Sequence, residues 1–170
     1  MNDNASSLKK ICLVTDSYWP AIGGVEQWVH GIAAGLSRRS ITVTVITHPS
    51  NPPVSPFSPR FFLGHNGEEY RDDAGNRVVA LAPSGVRRWL LPPLLLWHVP
   101  LARRLFPIPL FDALSFFYSA AFMKTLGALV KDADVVHCFS TGYLAICATR
   151  ACLRHGVPLV HSPPVHFGKW

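Results

Sequence analysis

Residues 11–47 leave this chain few ways to fold. Ile11, Cys12, Leu13 and Val14 form a short apolar run closed by Thr15-Asp16, the pattern of a strand covered on both faces by helices. Pro20 punctuates the loop that follows, and Gly23-Gly24 closes it. Val25, Val29, Ile32, Ala33 and Leu36 then recur at the spacing of one helical face. Arg38-Arg39 sit at the end of that helix, where cations suit its dipole. Ile41 to Thr47, ITVTVIT, is β-branched throughout and reads as a second strand. Strand, helix and strand with short joints make a right-handed βαβ unit, hence a parallel pair.

Parallel sheets of this kind gather ligands beyond the C-terminal ends of their strands. The first helix points its N-terminus there, and its orphan amides and dipole favour an anion. Glycine also lets backbone N–H groups approach a ligand with no Cβ in the way. Gly23-Gly24 is therefore a candidate phosphate or sugar site; a tight strand-to-helix turn without a ligand fits the same pattern.

The rest of the chain repeats the theme around an unusual middle. Residues 48–59, rich in proline and serine, read as a long loop, and such loops tend to be functional or mobile. Polar turn material fills 61–77, with short strands expected at Phe61-Phe62 and at Arg77 to Ala82. Trp89 to Ala102 is nearly all apolar but is broken by Pro92, Pro93 and Pro100 and bracketed by arginine pairs. That is too short and too interrupted for a transmembrane helix. With the aromatics that follow, 85–122 reads either as a helical insertion over the core or as an element dipping into a membrane interface. An amphipathic stretch then runs to Lys131, followed by a strand at Ala133 to Cys138 and a loop at Ser140, Thr141 and Gly142. Tyr143 to His155 is helical with Gly156 as its cap. Val157 to His161 is a last strand, before the loop SPPVHFGKW. Residues 1–10 are expected to be a flexible N-terminus and 11–170 a single domain, cut before a second one.

Composition limits the partners. With 49% hydrophobic and 15% charged residues, these 170 positions are one domain's worth of chain, long enough to bury a core. A net charge of +6 suits nucleic acid, anionic lipid or a phosphorylated substrate. No Lys/Arg run exceeds two residues and no nucleic-acid motif accompanies them, so no nucleic acid is expected. Cys12, Cys138, Cys147 and Cys152 contain no C-x-x-C pair and read as small buried hydrophobes in a reducing compartment. MNDNASSLKK lacks the apolar core of a signal peptide, so the cytoplasm is the expected location.

His48, His137 and His161 fall at strand ends, on the edge where Asp16 closes the first strand. One such histidine is usually structural; three converging on a glycine turn point to a polar site. His166, in the terminal loop, is within reach of the same edge. A nicotinamide site is excluded by the absence of G-x-G-x-x-G and of an acid after the second strand. No H-E-x-x-H, P-loop or G-x-S-x-G occurs, and no residues have metal-ligand spacing, so no metal is expected.

Three motifs in order resemble the N-terminal half of a GT-B glycosyltransferase of family 4. They are Asp16-Ser17-Tyr18-Trp19-Pro20 with Gly23-Gly24-Val25-Glu26, then Asp134-Val135-Val136-His137, then the loop from His161 to Trp170. The resemblance implies a Rossmann-like, open, mainly parallel α/β sheet with helices on both faces. It implies a retaining, hexosyltransferase-type enzyme that moves a sugar from a nucleotide-diphosphate donor to an acceptor hydroxyl, with no metal or other cofactor. Gly23 and Gly24 would meet the donor diphosphate, and His137 and His161 would serve catalysis. Asp16, Tyr18, Trp19, Glu26 and His166 would bind the acceptor. Phe139 stands where many members carry a second histidine, and Pro164 stands where the terminal loop often carries one. Members hold the nucleotide sugar mainly in a C-terminal domain, present in cis or in trans, so these residues alone are expected to be inactive. The basic balance and the 87–122 stretch favour a glycolipid acceptor and peripheral contact with the cytoplasmic face of a membrane. The competing reading is a non-catalytic module that docks to a donor-domain partner or to lipid.

Overall fold

A computed structural model describes residues 8–21, 23–49, 68–81 and 120–162. In chain order these form β1 (Lys10–Val14), α1 (Gly24–Ser37), β2 (Thr42–Thr47), β3 (Glu69–Arg71) and β4 (Arg77–Ala80). They continue with α2 (Ala120–Val130), β5 (Val135–Cys138), α3 (Tyr143–His155) and β6 (Leu159–His161). The strands build one six-stranded sheet in the order β3-β4-β2-β1-β5-β6. Five run parallel, and only β3 is antiparallel, to β4. The Rossmann-like α/β sheet expected from the sequence is the observed fold.

The alternation of side chains along each strand divides the core into two layers. Ile11, Leu13, Val43, Val45 and Val78 face α1, whose Val29 and Ala33 are fully buried against them. Cys12, Val14, Ile46 and Val79 face the other way, onto α2 and α3 through Leu126, Val130, Leu144 and Ala148. Helices thus cover both faces, as near-continuous apolar strands require. All four cysteines are buried, and no disulfide joins them. Burial pushes the Cys138 thiol up to about 11 and raises those of Cys12 and Cys152.

Several boundaries differ from expectation. β1 begins at Lys10, because the amides of Lys9 and Lys10 both donate to Asp134 Oδ2 at 2.8 Å. That acceptor at the foot of β5 ties down the last of the ten residues expected to be flexible. β3 carries no strand signal, since Glu69-Tyr70-Arg71 has a single apolar residue. A turn makes it instead. The Asp72 carboxylate accepts the Asn76 backbone and side-chain N–H groups at 2.8 and 2.9 Å, and Gly75 takes a φ of 81°. The left-handed conformation at Gly75 is one that other residues rarely adopt. α2 begins inside the apolar middle, and Phe122 at its start is buried in the core rather than offered to a surface. Phe61-Phe62 and residues 85–119 of that middle lie outside the described residues. No helix among the described residues is long and apolar enough to cross a membrane. Gly156, with φ 67°, caps α3 in the left-handed conformation expected of it.

Candidate functional site

Two strand-to-helix loops meet at the C-terminal edge of the sheet, β1 to α1 and β5 to α3. In the first, Tyr18 departs from its expected role. Its side chain is fully buried and its hydroxyl donates to Asp72 Oδ2 at 2.8 Å, so it anchors the loop to the β3–β4 turn and has no surface for an acceptor. Burial first, and the Asp72 carboxylate second, push its hydroxyl far above the usual tyrosine range. Trp19 is partly buried, with its ring stacked on His30 at 6.3 Å and its carbonyl accepting the Tyr70 hydroxyl at 2.6 Å. His30 in turn lies 2.6 Å from Asp73.

His30, Asp72 and Asp73 bring three donor atoms within 4.8 Å of one another, a set that spacing along the chain does not reveal. Asp72 already accepts from Tyr18 and twice from Asn76, and Asp73 is paired to His30. The cluster is a hydrogen-bonded clamp between α1 and the β3–β4 turn.

The two glycines of the turn differ. Gly23 is the N-cap of α1, in extended conformation and without a side-chain cap. The Glu26 carboxylate folds back over it so closely that a Cβ on Gly23 would collide with that side chain. An acid in the first turn answers the helix dipole. A Cβ on Gly24 would meet nothing within 4 Å, so this glycine faces open space.

The second loop is held by hydroxyls. Ser140 Oγ donates to Asp16 Oδ1 at 2.6 Å and accepts the Gly142 N–H at 3.1 Å. Asp16 lies against the bare Cα of Gly142, the N-cap of α3: a Cβ there would stand 3.2 Å from Oδ1. His161 Nε2 donates to the Ser140 carbonyl at 2.8 Å, so in the neutral ring Nδ1 is the lone-pair nitrogen. His137 Nε2 meets Ser162 Oγ at 2.9 Å. Burial, and then the neighbouring His161, hold the His137 imidazole below the usual histidine range. His48 is buried, with Nδ1 donating to the Leu81 carbonyl at 3.1 Å. Burial outweighs the pull of Asp16 and lowers its affinity for a proton.

Asp16, His137 and His161 thus gather at one edge with Gly23 and Gly24, whereas Tyr18 joins the core and His166 lies outside the described residues. Sequence reasoning missed Ser140 and Ser162, whose hydroxyls hold Asp16 and His137. The signal for Ser140 was its place two residues before a glycine N-cap, where a hydroxyl can bond the backbone locally. A groove of about 660 Å³ opens at the opposite end of the sheet, by Lys10, Thr42, Arg77 and Asp132. It is remote from the converging histidines.

A sequence model of the family described as Glycosyltransferase Family 4 matches residues 22–163. The chain belongs to that family. The match runs from the glycine turn through the strand ends that carry His137 and His161, with Asp16 ahead of it, and membership gives the chain a glycosyltransferase-type function. No curated protein matches it.

Proposed function

We propose that this family 4 chain supplies the acceptor side of a retaining hexosyl transfer from a nucleotide-diphosphate sugar to an acceptor hydroxyl. In this reading the fold is one half of a GT-B pair, and a second domain, in cis or in trans, holds most of the nucleotide. Neither a metal ion nor an organic cofactor takes part. The single observation that carries the reading is the convergence of Asp16, His137 and His161 with an open Gly24 at one sheet edge.

The chemistry follows from which atoms are left over. His161, with Nε2 spent on a carbonyl, turns a lone pair at Nδ1 to an acceptor hydroxyl. His137, kept neutral by burial, accepts a hydrogen bond rather than repelling a developing positive charge. The N-terminus of α1 beside Gly24 favours the charge that grows on the leaving diphosphate. Trp19 and Glu26 flank the same loop and bound the acceptor's approach. The basic balance of the chain supports a glycolipid acceptor at the cytoplasmic face of a membrane.

Calorimetric titration with nucleotide sugars, repeated with vesicles containing anionic lipid, tests this. Weak or absent nucleotide binding with clear vesicle binding is the expected result. Tight nucleotide binding by this chain alone would overturn the acceptor-side assignment. In a transfer assay with the donor domain supplied, Gly24→Val should cost at least about tenfold in rate, since a side chain would occupy the anion's place, while the unfolding midpoint stays near wild type.

A further inference from the structure

Four large hydrophobic side chains are exposed among the described residues: Leu8, Trp28, Leu153 and Val160. A lone exposed apolar residue is ordinary. What separates Trp28 from the others is its company. Its ring meets that of Phe139 at 5.1 Å and 81°, and Phe139, itself 1% exposed, lies 4.1 Å from the ring of His137 at 31°. Trp28 also follows Gly24 by one helical turn, so the ring and the open glycine share one face of α1. Half of Trp28 remains exposed.

We infer that Trp28 is the platform on which the ring of an acceptor sugar stacks, a role that rests on the acceptor-side reading above. Pyranose rings present a face of C–H bonds, and the negative face of an indole attracts such a positive, apolar surface. Phe139 holds the indole at its edge, so little freedom is lost when a sugar lies on it. The contact from Trp28 through Phe139 to His137 sets the stacked ring beside the imidazole. A sugar lying on Trp28 therefore brings its hydroxyls to the histidine side of the site. This also gives Phe139 a function: it transmits position between the platform and His137.

The test uses the whole chain, labelled with nitrogen-15, and methyl glycosides of glucose, galactose and mannose as probes. The chain has five tryptophans, and the Trp28 indole signal is the one lost in Trp28→Phe. At least one glycoside should shift the Trp28 indole and the His137 imidazole signals saturably and together. Trp28→Ala should weaken that binding about tenfold, and Trp28→Phe, which keeps a ring against Phe139, about threefold or less. Saturable shifts at His137 and His161 with Trp28 unmoved, and equal affinity in Trp28→Ala, would overturn the platform and leave the acceptor-side reading standing. Shifts at Trp28 without any at the histidines would show a sugar that stacks on Trp28 but does not reach the histidines, and would overturn both the acceptor platform and that reading. No saturable shift at any of the three overturns both.

Discussion

The two loops at the site edge each begin a helix on a glycine with no side-chain cap, and each sets a carboxylate against that helix end. For α1 the carboxylate is the helix's own, Glu26, three residues past Gly23. For α3 it is Asp16, from a loop 124 residues away from the Ser140 that binds it. The first arrangement is local and leaves Gly24 free to face open space. The second is a tie across the sheet that fixes Asp16, Ser140 and, through the Ser140 carbonyl, His161. The site therefore has one side that is open and one that is braced, and substitutions should reveal the asymmetry.

The largest effect should come from the anchor behind the first loop. Tyr18→Ala removes a fully buried ring and should lower stability by about 3–5 kcal/mol in urea unfolding. A loss below about 1 kcal/mol would mean that Tyr18 is not core. Asp16→Ala strips Ser140 of its charged acceptor and should cost about 1.5–3 kcal/mol; Asp16→Asn, which keeps an acceptor oxygen, should cost less. Equal losses in the two variants would show that the brace owes nothing to hydrogen bonding.

Acid should act on the braced side as well. His48 and His137 both have lowered proton affinity in the folded chain, so the unfolded chain takes up protons first as pH falls. Their contribution is complete above the ordinary histidine value of about 6.5 and is lost progressively below it. Thermal unfolding midpoints should therefore drop as pH falls from about 7.5 to about 5.5. His48→Asn, whose amide can still reach the Leu81 carbonyl, should flatten that slope; an unchanged slope would remove His48 from the account.

The smallest effect belongs to Glu26→Gln. Losing one half-buried charge at the α1 N-terminus should cost about 0.3–1 kcal/mol. It should also strengthen binding of inorganic pyrophosphate, measured by titration, because the helix no longer supplies its own anion. Weaker binding in that variant would assign the helix end to Glu26 alone.

The sheet was legible because it is written in periods: the runs at 11–14 and 41–47, the glycine turn and the Gly156 cap each have a local cause. The strand ends that carry Asp16, His137 and His161 could be read from the same runs. β3 was not legible, because Tyr70 is its one apolar residue and the turn at Asp72 and Gly75 creates it. Nor was the fate of Tyr18, whose burial depends on Asp72, 54 residues further on. The clamp of His30 on Asp73 and the hydroxyls of Ser140 and Ser162 likewise join residues that spacing keeps apart. Local chemistry is visible in a sequence, whereas a partner brought in by topology is not.

The span of 124 residues between Asp16 and Ser140 also has a meaning in time. On the ribosome, β1, the glycine turn, α1 and β2 are all synthesised before β5 exists. At typical synthesis rates the wait is roughly 6–25 s. During that interval β1 has β2 on one side and no neighbour on the other, and Asp16 has no serine to hold it. The nascent chain thus carries an unfinished central strand through those 124 residues, and the site closes only when β5 and the loop after it arrive.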